Sequence, residues 1–285
     1  MSDKVTIHEL FDKKGRGEPI TMLTAYDYPT ARLVDRSGID MILVGDSLGM
    51  VIHGLPNTTR VTMDMMVMHC AAVARGASQA MLVGDLPFLS YQVSVEEAVR
   101  NAGRLVADGG MDAVKLEGGS EMVPIVEALQ MAGIAVQGHI GLTPQSISKL
   151  GGFKTQGRSA EAARQLLDDA LALEAAGCFS LVLEAMPDRV AGLISHKLSI
   201  PTIGIGAGVE CDGQVLVTQD MLGLGMAPKF VRQYADAAEF INAALVAYRD
   251  DVLARTFPAK EHTYSMTDDE WEAFRASVNG ARQEG

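Results

Sequence analysis

Short apolar runs alternate with amphipathic segments along the first 255 residues of the chain. Such runs are typical of strands that are buried on both faces of a parallel sheet. The amphipathic segments have apolar residues at helical spacing, and some begin with residues that cap helices, such as Thr62 and Ser94. The predicted strands are 20–24, 41–44, 79–83, 112–117, 134–138, 179–183, 201–205 and 214–217.

The alternation of strands and helices predicts an α/β fold with a parallel sheet. Eight such steps in about 250 residues favour a closed (β/α)8 TIM barrel, a single domain over residues 1–255. The alternative, an open doubly wound sheet, requires a glycine-rich fingerprint after the first strand, and the sequence has none there. Residues 256–285 form a charged tail, which we interpret as an oligomer arm or a loosely ordered segment.

Composition limits the kinds of partner that the chain can have. A net charge of −12 and a pI near 4.9 argue against nucleic acid, which requires basic patches. The cysteines Cys70, Cys178 and Cys211 contain no CxxC pair, which argues against a disulfide scaffold or a structural zinc site. We see no secretory signal and no apolar run near the roughly 20 residues of a membrane helix. A soluble cytoplasmic protein is therefore expected.

Ionisable residues lie at the ends of five predicted strands. Because the carboxyl ends of parallel strands meet at one mouth of a barrel, these side chains should converge. Singly, each has an ordinary explanation, such as a helix cap for Asp46 or a structural hydrogen bond for His139. Together they are costly to bury unless they are paired or bound to a metal. The candidate site consists of Asp46, Ser47, Asp85, Lys115, Glu117, His139 and Glu184.

Four carboxylates around one lysine indicate a hard divalent cation. Mg²⁺ takes oxygen ligands, and Asp46 and Asp85 are the natural direct ligands, with Glu117 acting directly or through water. An ion with open positions can chelate a 2-oxo acid and favour its enolisation. Glu184 is then the candidate general base, and Lys115 would offset negative charge on the substrate.

Six segments together resemble the ketopantoate hydroxymethyltransferase family. They are VGDSLGM at 44–50, DLPF at 85–88, VKLEGG at 114–119, GHIGLTPQS at 138–146, LE at 183–184 and IGIGAG at 203–208. The resemblance covers about residues 5–255 and keeps these motifs in order. It implies a (β/α)8 protomer in a large homo-oligomer, typically a decamer. It also implies transfer of a hydroxymethyl group from 5,10-methylenetetrahydrofolate to 3-methyl-2-oxobutanoate, which gives 2-dehydropantoate in pantothenate biosynthesis.

The resemblance also implies roles for individual residues. By motif, Asp46 and Asp85 bind Mg²⁺, Glu117 belongs to the same metal environment, and Glu184 is the general base. The role of His139 stays open between substrate binding and structural support. The loop at 222–230 looks shorter than in some relatives and the tail longer, so folate-side details and subunit contacts are not carried over. The implied substrate-binding set is Asp46, Ser47, Asp85, Lys115 and His139.

Three other interpretations compete with this one. A Mg²⁺-dependent oxo-acid aldolase or lyase of the same barrel type would share the aspartate ligands but need no folate. Schiff-base chemistry at Lys115 is disfavoured, because the surrounding carboxylates would keep that lysine protonated. A non-catalytic barrel with an assembly or regulatory role would bind Mg²⁺ and an oxo acid without turnover.

Overall fold

Eight parallel strands form a closed barrel in which each strand pairs with the next and the last pairs with the first. The computed structural model describes residues 4–147, 152, 154–225 and 228–280. The (β/α)8 class predicted from the sequence is confirmed. The strands are β1 Ile20–Thr24, β2 Met41–Val44, β3 Met81–Asp85, β4 Ala113–Glu117, β5 Ala135–Gly141, β6 Ser180–Glu184, β7 Thr202–Ile205 and β8 Gly213–Leu216.

Helices follow most of the strands, and side chains cap several of them. Thr62 Oγ1 accepts a hydrogen bond from Met65 N, and Ser94 Oγ accepts one from Glu97 N, as their positions predicted. The barrel segment has helices Ile7–Arg16, Tyr28–Arg36, Leu48–Val51, Met63–Gly76, Val95–Ala107, Val123–Met131, Ala160–Ala175, Asp188–Lys197 and Thr218–Met221, with 3₁₀ turns at Thr58–Arg60, Ser120–Met122 and Pro144–Ser146.

One connection differs from the predicted eight strand–helix steps. Residues 206–212 join β7 to β8 without a helix. Gly206 and Gly208 have φ values of 63° and 90° there, in the left-handed region that favours glycine. These residues turn the chain within a loop too short for a helical crossover.

The apolar core has an inner and an outer layer. Inside the barrel, Met22, Met41 and Val83 pack in one cluster, and a larger cluster lies between the strands and the helices. Helix Ile7–Arg16, which the sequence analysis did not predict, adds the fully buried Leu10 to the inner cluster. The core therefore fills the barrel below its mouth and leaves the strand ends to polar side chains.

The outward face of β1 and β8 is only partly covered. Thr21 and Gln214 are exposed there, and Leu23 and Leu216 are half-buried. By contrast, β2, β3 and β4 are buried along their whole length. A shallow cavity of about 360 Å³ lies on this face, with Val209 among the residues that line it.

The chain divides into two compact units between Ala235 and Asp236. The second unit contains helices Ala237–Ala254 and Asp268–Gly280 and a 3₁₀ turn at Lys260–His262. The first of these helices has no buried residue. It lies in the second unit although the sequence analysis assigned it to the barrel domain, and a domain boundary at residue 255 stays a prediction. Its exposed large apolar residues are Phe240, Ile241, Leu245, Val246, Tyr248, Val252 and Leu253.

None of the helices in the described part of the chain combines the length and apolar character that crossing a membrane requires.

Candidate active site

One cavity of about 940 Å³ opens at the carboxyl ends of the strands. Asp85, Glu117 and Glu184 are the last residues of β3, β4 and β6, and His139 lies within β5. The structure therefore brings together every site residue that the sequence predicted, while the role of each stays a prediction. The predicted residues that line this cavity are Asp46, Ser47, Asp85, Lys115, Glu117, His139 and Glu184.

The two aspartates lie side by side at the bottom of the mouth. The backbone N of Asp46 donates a hydrogen bond of 3.0 Å to Asp85 Oδ2. Both side chains are buried, at 4% and 3% exposure. A Cβ at Gly45 would come within 2.7 Å of Ser47 Oγ, so a larger residue there would have to displace the serine hydroxyl.

The negative charge of Asp46 and Asp85 is not fully balanced by neighbouring positive charge. Burial raises the pKa of Asp46 well above its ordinary value, and the nearby carboxylates of Asp85 and Glu117 raise it further. Burial also raises the pKa of Asp85, although Lys115 opposes this effect. Among the described residues, Asp85 Oδ1 has no hydrogen bond of good geometry and lies 3.0 Å from Lys115 Nζ.

His139 connects the acidic groups across the mouth. Its Nε2 lies 3.1 Å from Glu184 Oε2, and its Nδ1 lies 3.5 Å from Glu117 Oε1. Burial and the charge of Lys115 lower the pKa of His139, but hydrogen bonds to the two glutamates raise it to about 9. At neutral pH the imidazole is therefore protonated, and it can donate to both carboxylates.

Lys115 lies between the aspartates and His139. Its Nζ is 3.3 Å from His139 Nδ1. Burial alone would lower the pKa of Lys115, but the carboxylates of Asp85, Glu117 and Asp46 raise it above its ordinary value. The amine is therefore a permanent positive charge in this site.

Gln145 is a site residue that the sequence analysis did not select. Its Nε2 donates to Asp46 Oδ2 at 3.0 Å and to Leu86 O at 2.9 Å. Its Oε1 accepts from Tyr91 Oη and Gln92 Nε2. The side-chain amide is fully satisfied and nearly fully buried, so it holds Asp46 in one orientation. The only signal in the sequence was its place in the GHIGLTPQS segment.

Two tyrosines and a third aspartate were also missed. Tyr26 Oη is 2.8 Å from Ser47 Oγ, and Tyr91 Oη accepts a hydrogen bond from Glu117 N. Asp220 follows β8 and lines the same cavity. The pattern of apolar residues gives no sign that a buried tyrosine belongs to the site. Asp220, by contrast, lies just beyond the last predicted strand, and that position could have identified it.

The fold and this mouth define a (β/α)8-barrel enzyme with a carboxylate-rich active site. Within that class, the chain belongs to the ketopantoate hydroxymethyltransferase family, whose family model matches residues 4–260. This match confirms the resemblance that the sequence motifs indicated.

Similar proteins cover almost the whole chain. The 3-methyl-2-oxobutanoate hydroxymethyltransferase of Moorella thermoacetica is 57% identical over 263 residues, which are 92% of this chain and 98% of the relative. The enzyme of the same name from Heliobacterium modesticaldum is 54% identical over 271 residues, 94% of this chain and 98% of the relative.

Solved structures of more distant proteins share the fold. Phosphonopyruvate hydrolase, solved in complex with oxalate and Mg²⁺, has a TM-score of 0.57 at 13% identity and covers 98% of both chains. Oxaloacetate acetylhydrolase, solved with 3,3-difluorooxaloacetate, has a TM-score of 0.56 at 12% identity, with 99% of this chain and 98% of that chain covered. At such identities these likenesses concern the barrel fold alone.

Proposed function

We propose that this chain transfers a hydroxymethyl group from 5,10-methylenetetrahydrofolate to 3-methyl-2-oxobutanoate, giving 2-dehydropantoate for pantothenate biosynthesis. Family membership supports this assignment. The observation that carries it is the Glu184–His139 pair facing one cavity with the two aspartates and Lys115. Such a site can hold a 2-oxo acid next to a general base.

The donor set at the bottom of the mouth fits Mg²⁺. Four carboxylates face one ammonium and one imidazole, Asp85 Oδ1 is buried without a well-formed hydrogen bond, and the pKa of Asp46 is raised. Among the described residues, no group of three or more His, Cys, Asp and Glu side chains forms a metal cage. Mg²⁺ needs only one or two carboxylates, with water and substrate as the other ligands. Asp46 and Asp85 would hold it, with Glu117 in the same environment.

The bound ion would supply Lewis acidity that polarises the keto group of the oxo acid. Glu184 removes the proton from C3, since it is the carboxylate at the mouth that pairs with His139. Lys115 offsets the negative charge that develops on the substrate oxygens. The hydroxyl of Ser47, held by Tyr26 Oη, and His139 bind the oxo acid through hydrogen bonds.

The overall reaction balances with water as a third reactant. The C3–H bond of the oxo acid breaks, and a new C–C bond joins C3 to the one-carbon unit. Water supplies the hydroxyl oxygen, and tetrahydrofolate leaves. The Schiff-base alternative at Lys115 requires a neutral amine, and the raised pKa of this lysine opposes it.

We also propose that the chain assembles as a homo-oligomer, a decamer by family resemblance. The apolar side chains of helix Ala237–Ala254 support this, because large exposed apolar patches commonly mark protein interfaces. The three free, buried cysteines support a cytoplasmic location.

The decisive experiment measures exchange of the C3 proton of 3-methyl-2-oxobutanoate in D₂O by NMR, without folate. Mg²⁺ should support exchange, and a chelator should stop it. Glu184→Gln should abolish exchange while leaving Mg²⁺ binding intact. If the wild-type protein exchanges no proton, and addition of folate gives no product, the proposed function is wrong.

A further inference from the structure

The active-site cavity is much larger than a five-carbon oxo acid requires. Its volume of about 940 Å³ is near the upper end of the ~300–1,000 Å³ range of pockets that hold drug-sized ligands. The acid-binding groups occupy the bottom, at the ends of β2 to β6. The remaining space is lined by loops, with apolar contributions from Leu55, Leu224 and Phe230. A second, larger and partly apolar molecule fits this upper part.

Asp220 is the unexplained charged group of this upper part. It is 9% exposed, lines the cavity, and accepts no hydrogen bond at its carboxylate from any residue in the described part of the chain. Burial, with no neighbouring charge, raises its pKa to about 6, so it is mainly ionised at neutral pH. Because the carboxylate faces the cavity without a donor from the described residues, a ligand with donors can take the place of water there.

The backbone around Asp220 fixes its position. The side-chain hydroxyl of Thr218, in the same short helix, donates to Thr24 O of β1. Gly225 passes so close that a Cβ there would lie 2.4 Å from Asp220 Oδ1. Gly225 thus packs against one side of the carboxylate, and a larger residue there would have to displace it.

We propose that Asp220 binds the pterin ring of the folate substrate by accepting two hydrogen bonds, from N3–H and from the 2-amino group. These adjacent donors match the two oxygens of a carboxylate, as the donors of a guanidinium do. The inference rests on the proposed function, because it assigns the residue that recognises the second substrate of that reaction.

The charge distribution around the mouth suits the other end of the same molecule. Lys154 lines the cavity from the chain that follows β5, three strands around the barrel from β8. A folate has donors on its pterin and carboxylates on its glutamate tail. Asp220 can accept hydrogen bonds from the pterin, and the exposed Lys154 can pair with the carboxylates of the glutamate tail.

The test measures binding of tetrahydrofolate, the unreactive product, by calorimetry. Asp220→Asn should weaken binding about 10- to 100-fold, the usual range for losing hydrogen bonds to a charged group. Binding of p-aminobenzoylglutamate, which lacks the pterin, should not change. Asp188→Asn is the matched control, since Asp188 follows β6 but does not line the cavity.

Proton exchange separates this inference from the proposed function. In Asp220→Asn, exchange of the C3 proton without folate should match the wild type, which also shows that the variant is folded. Unchanged tetrahydrofolate binding, or an equal loss of exchange, would overturn the inference alone. Absence of exchange in the wild type would instead overturn the proposed function.

A second measurement needs no variant. Wild-type protein should bind tetrahydrofolate at least tenfold more tightly than its 2-desamino analogue, because the analogue leaves one oxygen of Asp220 without a donor. Equal affinity for the two compounds would contradict the inference even if Asp220→Asn did not fold.

Discussion

His139 Nε2 lies 3.1 Å from Glu184 Oε2, so the proposed base is within ion-pair distance of a histidine buried at 2% exposure. The other nitrogen of the same ring faces Glu117. His139 therefore connects the base to the acidic bottom of the mouth. Glu184 lines the cavity, and we expect this ion pair to make His139 a positioning residue for proton abstraction.

Replacement of His139 by glutamine should slow C3 proton exchange about 100-fold or more, since a correctly positioned base contributes roughly 10²–10⁴-fold. Binding of the oxo acid should weaken less than exchange slows, because its other proposed partners, Ser47, Lys115 and the ion held by the aspartates, remain when the hydrogen bond from His139 is lost. NMR exchange and calorimetry measure the two effects. His196→Gln is the control, since His196 bonds to Gly192 O and does not line the cavity. Equal losses of exchange and binding in His139→Gln would contradict a positioning role.

Asp85→Asn should weaken Mg²⁺ binding at least tenfold and reduce proton exchange, because one of the two proposed carboxylate ligands loses its charge. Titration calorimetry with Mg²⁺ alone measures the affinity. Asp64→Asn, at a highly exposed carboxylate, should bind the ion as the wild type does. Normal Mg²⁺ affinity in Asp85→Asn would remove Asp85 from the metal site.

Gln145→Leu should lower the free energy of unfolding by about 2–4 kcal/mol, because it leaves Leu86 O and Asp46 Oδ2 without the hydrogen bonds that Gln145 Nε2 donates. Urea denaturation measures the change. Gln92→Leu is a milder control, because that variant loses only the hydrogen bond from Gln92 Nε2 to Gln145 Oε1. A loss no larger than that of the control would show that Gln145 is not a stabilising centre.

Asp35 predicts a pH-dependent contribution to stability. Burial raises its pKa, but hydrogen bonds from the backbone N atoms of Ala80, Ser78 and Gln79 lower it more, so the folded pKa is below the unfolded value of about 3.9. The stabilisation is therefore complete above that pH and is lost as pH falls through the folded pKa. Asp35→Asn should destabilise the protein by about 1–3 kcal/mol at pH 7.

Urea denaturation at pH 7 and pH 3 checks this prediction. The difference between Asp35→Asn and the wild type should shrink at pH 3, because pH 3 lies below the unfolded pKa of about 3.9, where the carboxyl group of the unfolded chain binds a proton and the stabilisation declines. Asp64→Asn serves again as the exposed control and should show little difference at either pH. An equal difference at both pH values would mean that the charge of Asp35 contributes nothing.

Charged substitutions on the exposed helix Ala237–Ala254 should disrupt assembly. Phe240 and Leu253 are 77% and 75% exposed. Replacing both by aspartate should dissociate the proposed oligomer without unfolding the barrel, since charges are costly in a packed apolar interface. Light scattering after gel filtration measures the mass. Met131→Asp, at a 90% exposed site on another helix, is the control, and an unchanged mass in the double variant would exclude helix Ala237–Ala254 as the interface.

Hydrophobic patterning predicted the barrel well because the strands are buried on both faces. It located β1 and β2 with their observed bounds, but placed β3 at 79–83 instead of Met81–Asp85. Gly84 and Asp85 carry no apolar signal, yet they pair with β4 at Val114 and Lys115. Backbone pairing thus continues into the polar end of a strand, where apolar character has already stopped.

The charged residues at the strand ends could also be predicted from the sequence, because the barrel topology brings the carboxyl ends of the strands together. Gln145 and Tyr91 could not, because they act through hydrogen bonds between segments 54 residues apart. The sequence around a glutamine or a tyrosine in a loop does not indicate which groups its side chain will hydrogen-bond to in the folded protein. Their roles depend on the packed structure, not on any local pattern.

The pairing of β1 with β8 also has a consequence for biosynthesis. Ile20 to Leu23 of β1 pair with Gly213 to Leu216 of β8, at the opposite end of the barrel segment. During synthesis on the ribosome, β1 emerges first, and its edge that pairs with β8 stays unpaired until almost all of the barrel has been made. Closing so long a loop carries an entropic cost that only the last strand can offset. A nascent chain halted before β8 therefore exposes two open sheet edges, and we expect it to depend on chaperones until synthesis resumes.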